Sequence, residues 1–273
     1  MGKYSNLKQR IIAAVLGAIV IIAGIYYGPW SYFVIFLCIS AITQLEFYKL
    51  VGLDGMLPLK TFGTFAGSLI FLLSFLVEGG IVDDKYYFIV FPIGACVYMI
   101  YLYRKRIKKP FRGVAFTFLG IIYVSIPFSL INVIAFHPGV YSGELIIGSM
   151  LMLWASDTGA YFAGVRFGKR KLFERVSPKK SWEGSMGGLL LAIAMAYGIS
   201  HVSTALEVWQ WISLGLIIVV IGTYGDLVES LFKRSIEIKD SSRLIPGHGG
   251  FLDRFDGLLL AVPFITAFLK LFE

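Results

Sequence analysis

Four acidic residues lie within or at the ends of long apolar stretches of the 273-residue chain: Glu46, Asp157, Asp226 and Glu229. A charged side chain at the centre of a membrane-spanning helix costs about 2.5–3.5 kcal/mol on insertion scales, so it persists where it faces a polar cavity, a cation or a basic partner. Glu46 is close to Lys49 and is interpreted as an interfacial residue. Asp157 and Asp226 are candidates either for chemistry or for hydrogen bonds that pack helices together.

The stretch IGTYGDLVES combines Asp226 with two glycines, Gly222 and Gly225, which allow another group to approach the backbone closely. On a helix, Asp226 and Ser230 are spaced i, i+4, and Lys233 lies about one further turn along, so the three share one face. A carboxylate can hold a cation while an amine neutralises phosphate oxygens. This face therefore predicts a magnesium–phosphate site.

A glycine-rich turn follows at Pro246-Gly247-His248-Gly249-Gly250, where consecutive backbone N–H groups can wrap an anion. For His248 three readings stay open: proton transfer, substrate contact, or a fit to the turn. Asp253 and Asp256 come next at i, i+3, at the start of the last helix, where capping also explains a carboxylate. Because Mg²⁺ prefers oxygen ligands and keeps substrate phosphates in its shell, Asp226, Asp253 and Asp256 predict a site for one or two metal ions.

A second polar loop, residues 166–185, is rich in Lys and Arg. The part from 166 to 171 is interpreted as a topology determinant, since basic loops commonly mark the cytoplasmic face. The part from 177 to 184 mixes a proline, hydroxyl groups and charges around Lys179 and Lys180, which favours a substrate-binding loop.

Hydrophobic residues make up 57% of the chain and charged residues only 15%, whereas about 25% of a soluble globular domain is charged. Lipid is therefore the solvent that fits the composition. A spanning helix needs about 20 mostly apolar residues, and we predict an all-α integral membrane protein with about nine transmembrane helices. These are 11–28, 30–49, 61–78, 85–103, 113–136, 144–165, 186–203, 208–232 and 255–272.

The positions of Lys and Arg predict the orientation of these helices, since cytoplasmic segments are enriched in both residues. With nine spans, one face holds all but two of the 25 Lys and Arg residues, the exceptions being Lys85 and Lys270. The N-terminus is therefore predicted to be cytoplasmic and the C-terminus external. The polar loops 166–185 and 233–254 then face the cytoplasm.

Polar groups with chemical potential are concentrated in the second half of the chain. We predict N-terminal transmembrane helices over 1–136, which form either a lipid cavity or a dimer interface, and a catalytic region over 137–273. The formal net charge of +8 would suggest nucleic acid as the partner of a soluble protein. Here the basic residues lie between apolar spans, so anionic lipid and anionic substrates are expected and nucleic acid is not.

Residues 230–256 resemble the signature of the phosphatidate cytidylyltransferases, also called CDP-diacylglycerol synthases. In that signature a serine precedes Lys-Arg, and Lys-Asp, His-Gly-Gly and Asp-Arg-hydrophobic-Asp follow in order. The stretch SPKKSWEG, residues 177–184, is similar to the second cytoplasmic motif of the same family. The matching positions of the signature are Ser230, Lys233, Arg234, Lys239, Asp240, Ser242, Pro246, His248, Gly249, Gly250, Asp253, Arg254, Phe255 and Asp256.

The resemblance implies that phosphatidic acid and CTP react to give CDP-diacylglycerol and pyrophosphate. It also implies Mg²⁺, a homodimer, and a multi-pass protein of the cell inner membrane, with its active site facing the cytoplasm. The three aspartates leave a second cation, monovalent or divalent, as an option. Metal ligands would be Asp226, Asp253 and Asp256. Catalytic candidates are Lys233, Arg234, Lys239, Asp240, His248 and Arg254. Contacts to CTP or pyrophosphate are expected from Ser177, Lys179, Lys180, Ser230, Gly249 and Gly250.

Two other classes of membrane protein share some of these features. A transporter also carries acids in its spans and broken helices, but here the first half has almost no buried charge and the acids lie near one predicted face. A CDP-alcohol phosphotransferase would need a different aspartate–glycine pattern, and many lipid kinases would need a GxxxxGK[ST] loop. The sequence contains neither pattern.

Overall fold

The structure is a computed structural model, and it describes the backbone of most of the chain. Lys239 and His248, two predicted catalytic residues, lie outside the described residues, as do Arg243, Pro246 and Gly247. The described residues are 3–105, 107–238, 240–242, 244–245 and 249–272, with side chains from residue 12 onward.

Ten α-helices and one short hairpin make up the described chain. A 3₁₀ turn, Asp84–Ile89, leads into α4, and a π-helical turn, Ile121–Ser125, joins α5 to α6 as one rod. The helices are α1 Lys3–Tyr27, α2 Pro29–Leu53, α3 Lys60–Glu78, α4 Val90–Leu102, α5 Pro110–Gly120, α6 Ile126–Ala135, α7 Glu144–Phe167, α8 Trp182–Ser200, α9 Val208–Ser235 and α10 Leu252–Leu271. The strands are β1 Lys171–Phe173 and β2 Ser177–Ser181.

Seven helical segments of the described chain are long and apolar enough to cross a membrane. Each coincides with one of the nine predicted spans. The predicted first span appears as a shorter apolar helix, Ile12–Tyr27, and the predicted ninth span corresponds to α10, which lies outside the seven. The chain is thus a mainly helical, multi-pass membrane protein, while the count of nine and the orientation of the termini stay predictions.

The chain divides into two compact units. Unit 1 comprises Met1–Tyr141 and Asp240–Arg254, and unit 2 comprises Ser142–Lys239 and Phe255–Glu273. The predicted functional regions, 1–136 and 137–273, stay a prediction.

Unit 1 is held together by polar groups buried among aromatic side chains. Tyr48 is fully buried, and its hydroxyl donates to the Thr117 carbonyl over 2.7 Å while it accepts from the Gln44 amide at 3.1 Å. The Tyr32 hydroxyl donates to Asn132 over 2.9 Å. In an apolar surrounding each of these groups needs a partner, so the bonds fix α2 against the α5–α6 rod.

Unit 2 is built on a close contact between α7 and α8. A Cβ added to Gly187 would lie 2.8 Å from the Gly159 carbonyl oxygen, and one added to Gly188 would lie 2.8 Å from the Ser156 carbonyl oxygen. Small residues of this kind let helix backbones approach each other in membranes, where dispersion contacts drive association. Trp211 of α9 is fully buried and lies against Gly148 of α7.

The predicted loop 166–185 is shorter and more ordered than expected. Helix α7 continues to Phe167, α8 begins at Trp182, and β1 and β2 pair antiparallel between them, with Lys171 opposite Ser181 and Phe173 opposite Ser177. β1 has only three residues, and β2, SPKKS, is polar apart from its proline, so neither shows the alternation of apolar and polar residues that indicates a strand. The purely helical expectation therefore missed this hairpin.

Candidate active site

Helix α9 carries Asp226 next to a close contact with α10. A Cβ added to Gly225 would lie 2.5 Å from the carbonyl oxygen of Asp256 and 2.9 Å from the Cα of Gly257. No side chain fits there, so glycine at position 225 allows the two backbones to meet. The close approach predicted for Gly225 is therefore made by α10, and it brings Asp226 to Asp256.

Three carboxylates of unit 2 converge at this contact. One ligand oxygen each from Asp226, Glu229 and Asp256 lies within 4.8 Å of the other two. The Glu229 side chain is fully buried, whereas that of Asp226 is 41% exposed. The cluster therefore has an inner carboxylate and an outer one that a ligand can reach.

Two lysines offset the negative charge of this cluster. Lys180 Nζ lies 2.5 Å from Asp226 Oδ2, and Lys233 Nζ lies 2.5 Å from Glu229 Oε2. The Ser230 hydroxyl donates to Asp226 Oδ1 over 3.2 Å. The face predicted from Asp226, Ser230 and Lys233 therefore exists on α9, with Glu229 as the acidic partner of Lys233.

The hairpin is what brings Lys180 to Asp226. Strand β2 ends at Ser181, whose hydroxyl oxygen accepts from the Gly184 N–H at 3.1 Å and so caps α8. The Glu183 carboxylate accepts from the backbone N–H of Lys169 at 3.0 Å and of Arg170 at 3.2 Å. These bonds tie both ends of the hairpin to the first turn of α8.

Asp253 lies in unit 1 and holds the turn that precedes α10. Its carboxylate accepts from the Ser241 hydroxyl at 2.8 Å, the Ser241 N–H at 3.0 Å and the Gly250 N–H at 2.8 Å. Gly249 has a φ of +84°, a conformation that glycine adopts without strain. The role of Asp253 as a metal ligand stays a prediction.

The other predicted site residues differ in exposure. Ser177 and Gly249 are partly buried and Gly250 is buried. Arg234 donates from its guanidinium to the Ile238 carbonyl over 3.1 Å. Those that are exposed are Lys179, Arg234, Asp240 and Arg254.

The structure gives two acidic residues, Glu229 and Glu46, contacts that were not predicted from the sequence. Glu229 lies in the carboxylate cluster, and its spacing of i, i+3 from Asp226 and i, i+4 to Lys233 was a local signal for it. Glu46 was interpreted as an interfacial residue near Lys49, and its depth in the membrane stays a prediction. The structure shows that it is 1% exposed and accepts hydrogen bonds from the Ser242 hydroxyl and the Leu252 N–H. Its partners lie about 200 residues further along the chain, so no local pattern could identify them.

This arrangement suits the handling of anionic phosphates at a membrane. Carboxylate oxygens provide hard ligands for a divalent cation, and the neighbouring amines can neutralise phosphate charge. The ion pair of Lys233 and Glu229 is buried, whereas that of Lys180 and Asp226 is partly exposed. The site therefore has one open side. These features suit a phosphoryl- or nucleotidyl-transferase of the membrane.

Comparison with known proteins agrees with this class. The family model described as the cytidylyltransferase family matches residues 8–272. A phosphatidate cytidylyltransferase of Haemophilus influenzae is 34% identical, and the match covers 96% of this chain and 98% of that protein. One from Bacillus subtilis is 33% identical over 98% of this chain and 99% of that protein.

The chain therefore belongs to the cytidylyltransferase family, in which its relatives are phosphatidate cytidylyltransferases. The resemblance found in the signature is confirmed over nearly the full length. Membership makes the chain a nucleotidyltransferase.

The ion pair between Lys233 and Glu229 is expected to stabilise unit 2. Their side chains are 11% and 0% exposed, and breaking a buried pair by removing one partner typically costs about 3–5 kcal/mol. We expect the midpoint of thermal unfolding in detergent to be clearly lower for Lys233→Met than for the wild type. Arg234→Met is the matched control, because Arg234 is the adjacent residue and is exposed. Equal midpoints for the two variants would contradict a stabilising pair.

Proposed function

We propose that the protein transfers the cytidylyl group of CTP to phosphatidic acid, giving CDP-diacylglycerol and pyrophosphate. The observation that carries this proposal is the convergence of three carboxylates and two lysines on α9, α10 and the hairpin, in a chain whose relatives bear that activity in their names. In this proposal the reaction is a step of phospholipid biosynthesis.

A magnesium ion suits the carboxylate cluster, because its ligand atoms are all carboxylate oxygens within 4.8 Å of one another. Asp226, Glu229 and Asp256 would hold the ion, and Asp253 remains a further candidate ligand. When bound, Mg²⁺ supplies positive charge that offsets the charge developing on the phosphate oxygens. A second cation, monovalent or divalent, is part of the same proposal.

Bringing two anionic substrates together is the main obstacle to this reaction. An oxygen of the lipid phosphate attacks the α-phosphorus of CTP, the bond to the β-phosphate breaks, and pyrophosphate leaves with the electron pair. The nucleophile is already an anion, so no general base is required. Catalysis then depends on positioning and on charge neutralisation.

The lysines around the cluster meet that need. Lys180 lies against the partly exposed Asp226, so its amine is placed to contact phosphate oxygens that approach the open side. Lys233 is held by Glu229 at the inner side. Ser177, Lys179, Arg234 and Arg254 are proposed to bind the remaining phosphate oxygens, and the turn at Gly249 and Gly250 the nucleotide phosphates. Lys239, Asp240 and His248 stay catalytic candidates.

We further propose that this site faces the cytoplasm in the cell inner membrane and that the protein is a homodimer. The distribution of Lys and Arg supports the cytoplasmic placement. CTP would then arrive from water, and phosphatidic acid would enter sideways from the lipid.

The experiment uses the purified protein in detergent with phosphatidic acid and CTP labelled in its cytosine ring. Label is expected to move into the lipid phase in the presence of Mg²⁺ and to stop moving when EDTA is added, because the carboxylate cluster then lacks its cation. ATP in place of CTP is the nucleotide control. Absence of transfer from folded protein would contradict the proposed reaction. Transfer that continues in EDTA would contradict the metal requirement.

A further inference from the structure

Glu46 is a buried carboxylate in unit 1, and its two oxygens accept hydrogen bonds from the segment that precedes α10 and from the first residue of α10. The Ser242 hydroxyl donates to Oε1 over 2.7 Å, and the backbone N–H of Leu252 donates to Oε2 over 3.0 Å. Glu46 itself is 1% exposed. A carboxylate this deeply buried needs hydrogen-bond donors to offset the loss of water, and these two groups supply them.

The bond to Leu252 has the geometry of a helix cap supplied from a distant residue. Leu252 is the first residue of α10, and its N–H is one of those that a helix leaves without an intrahelical partner. Phe251, which precedes it, has no side-chain oxygen and cannot act as a capping acceptor. Glu46 takes over this role from α2, and its negative charge is also favoured at a helix N-terminus.

Glu46 packs closely against Gly250. A Cβ added to Gly250 would collide with the Glu46 carboxylate and with the Ser241 hydroxyl. Asp253 binds Ser241 and Gly250 from the other side of the same turn. Residues 241–242 and 250–252 are therefore held between two carboxylates, one of them on α2.

We propose that Glu46 is a positioning residue for cytidylyl transfer: it fixes the residues of the signature that lead into α10, and with them the first turn of α10, which carries Asp253 and Arg254. This inference rests on the proposed function. It assigns a residue of the N-terminal helices to the reaction through two hydrogen bonds, without contact to substrate.

The test compares Glu46→Ala, Glu46→Gln and Ser242→Ala in the labelled-CTP transfer assay. Glu46→Ala is expected to lower kcat about 10- to 100-fold, the range seen when groups that orient catalytic ligands are removed. Glu46→Gln retains the shape and one acceptor oxygen, so it is expected to restore part of that loss. Ser242→Ala removes one of the two bonds and is expected to fall between the wild type and Glu46→Ala. Ser40→Ala is the matched control, since Ser40 is buried on the same helix, and it is expected to keep wild-type activity.

Amide hydrogen exchange provides a readout that does not depend on turnover. In the wild type the Leu252 and Gly250 amides are expected to be protected, and Glu46→Ala is expected to speed exchange in the peptide covering 249–253 while peptides from α7 and α8 stay unchanged. A loss of protection throughout the protein would mark a folding defect in Glu46→Ala. The exchange of the same peptide in Glu46→Gln and Ser242→Ala then tests the positioning role.

The outcomes separate this inference from the proposed function. If the wild type transfers label but Glu46→Ala keeps its kcat and its exchange pattern, the positioning role is overturned. If Glu46→Ala and Ser40→Ala lose activity equally, the loss is unspecific and the role is also overturned. If the wild type transfers no label while exchange at 249–253 responds to Glu46→Ala, the proposed reaction fails and the anchoring of α10 by Glu46 stands.

Discussion

Asp226→Asn is expected to abolish measurable cytidylyl transfer, a loss of more than about 10³-fold, at the upper end of what removal of one preorganised charged group costs. Asp226 is the residue on which the site converges: it lies in the carboxylate cluster, pairs with Lys180 and accepts from Ser230. Asparagine has nearly the same shape but carries no charge. It therefore removes the attraction for a cation while leaving α9 in place. Turnover is measured with labelled CTP at increasing Mg²⁺ concentrations.

The matched control is Asp83→Asn, which makes the same substitution in another aspartate–lysine pair. Asp83 lies 2.5 Å from Lys85, and both side chains are about two-thirds exposed, so the pair contributes little to stability. This variant is expected to retain wild-type turnover. If folded Asp226→Asn retained turnover and its dependence on Mg²⁺, Asp226 could not be a metal ligand.

Features that depend on neighbours along one helix could be predicted from the sequence. The apolar runs predicted the membrane helices because about 20 residues must be apolar wherever a helix crosses lipid. The placement of Asp226 beside Ser230 on one face of α9 followed from the spacing of i, i+4 alone. Gly225 indicated a close approach, although the sequence did not show that α10 makes it.

Features that depend on residues far apart in the chain could not be predicted in this way. The cap that Glu46 provides for α10 joins residues 46 and 252, and no periodicity relates two such positions. The nearby Lys49 instead suggested an interfacial role. The pair between Lys180 and Asp226 was also not foreseen, because it depends on a hairpin whose strands show no alternation of apolar and polar residues.

Lys180→Met is expected to lower kcat/KM for CTP about 10²- to 10³-fold, the range for loss of one preorganised charge that acts on the transition state. The amine lies at the outer carboxylate of the cluster, 2.5 Å from Asp226, and its side chain is only 26% exposed. At an effective dielectric constant near 20, two unit charges about 4 Å apart interact by about 4 kcal/mol, so phosphate oxygens that enter here gain much from this lysine. Methionine keeps the length of the side chain and removes the charge.

Lys171→Met is the control that separates this position from the general positive charge of the hairpin. Lys171 lies on β1 of the same hairpin and is exposed, so its charge is screened by water and salt. It is expected to affect turnover less than tenfold, and raising the salt concentration should diminish even that effect. Equal losses in the two variants would mean that the hairpin acts as a diffuse basic surface. A loss confined to Lys180→Met would mean that the hairpin serves to place one amine at the carboxylate cluster, which explains why both of its ends are fastened to the first turn of α8.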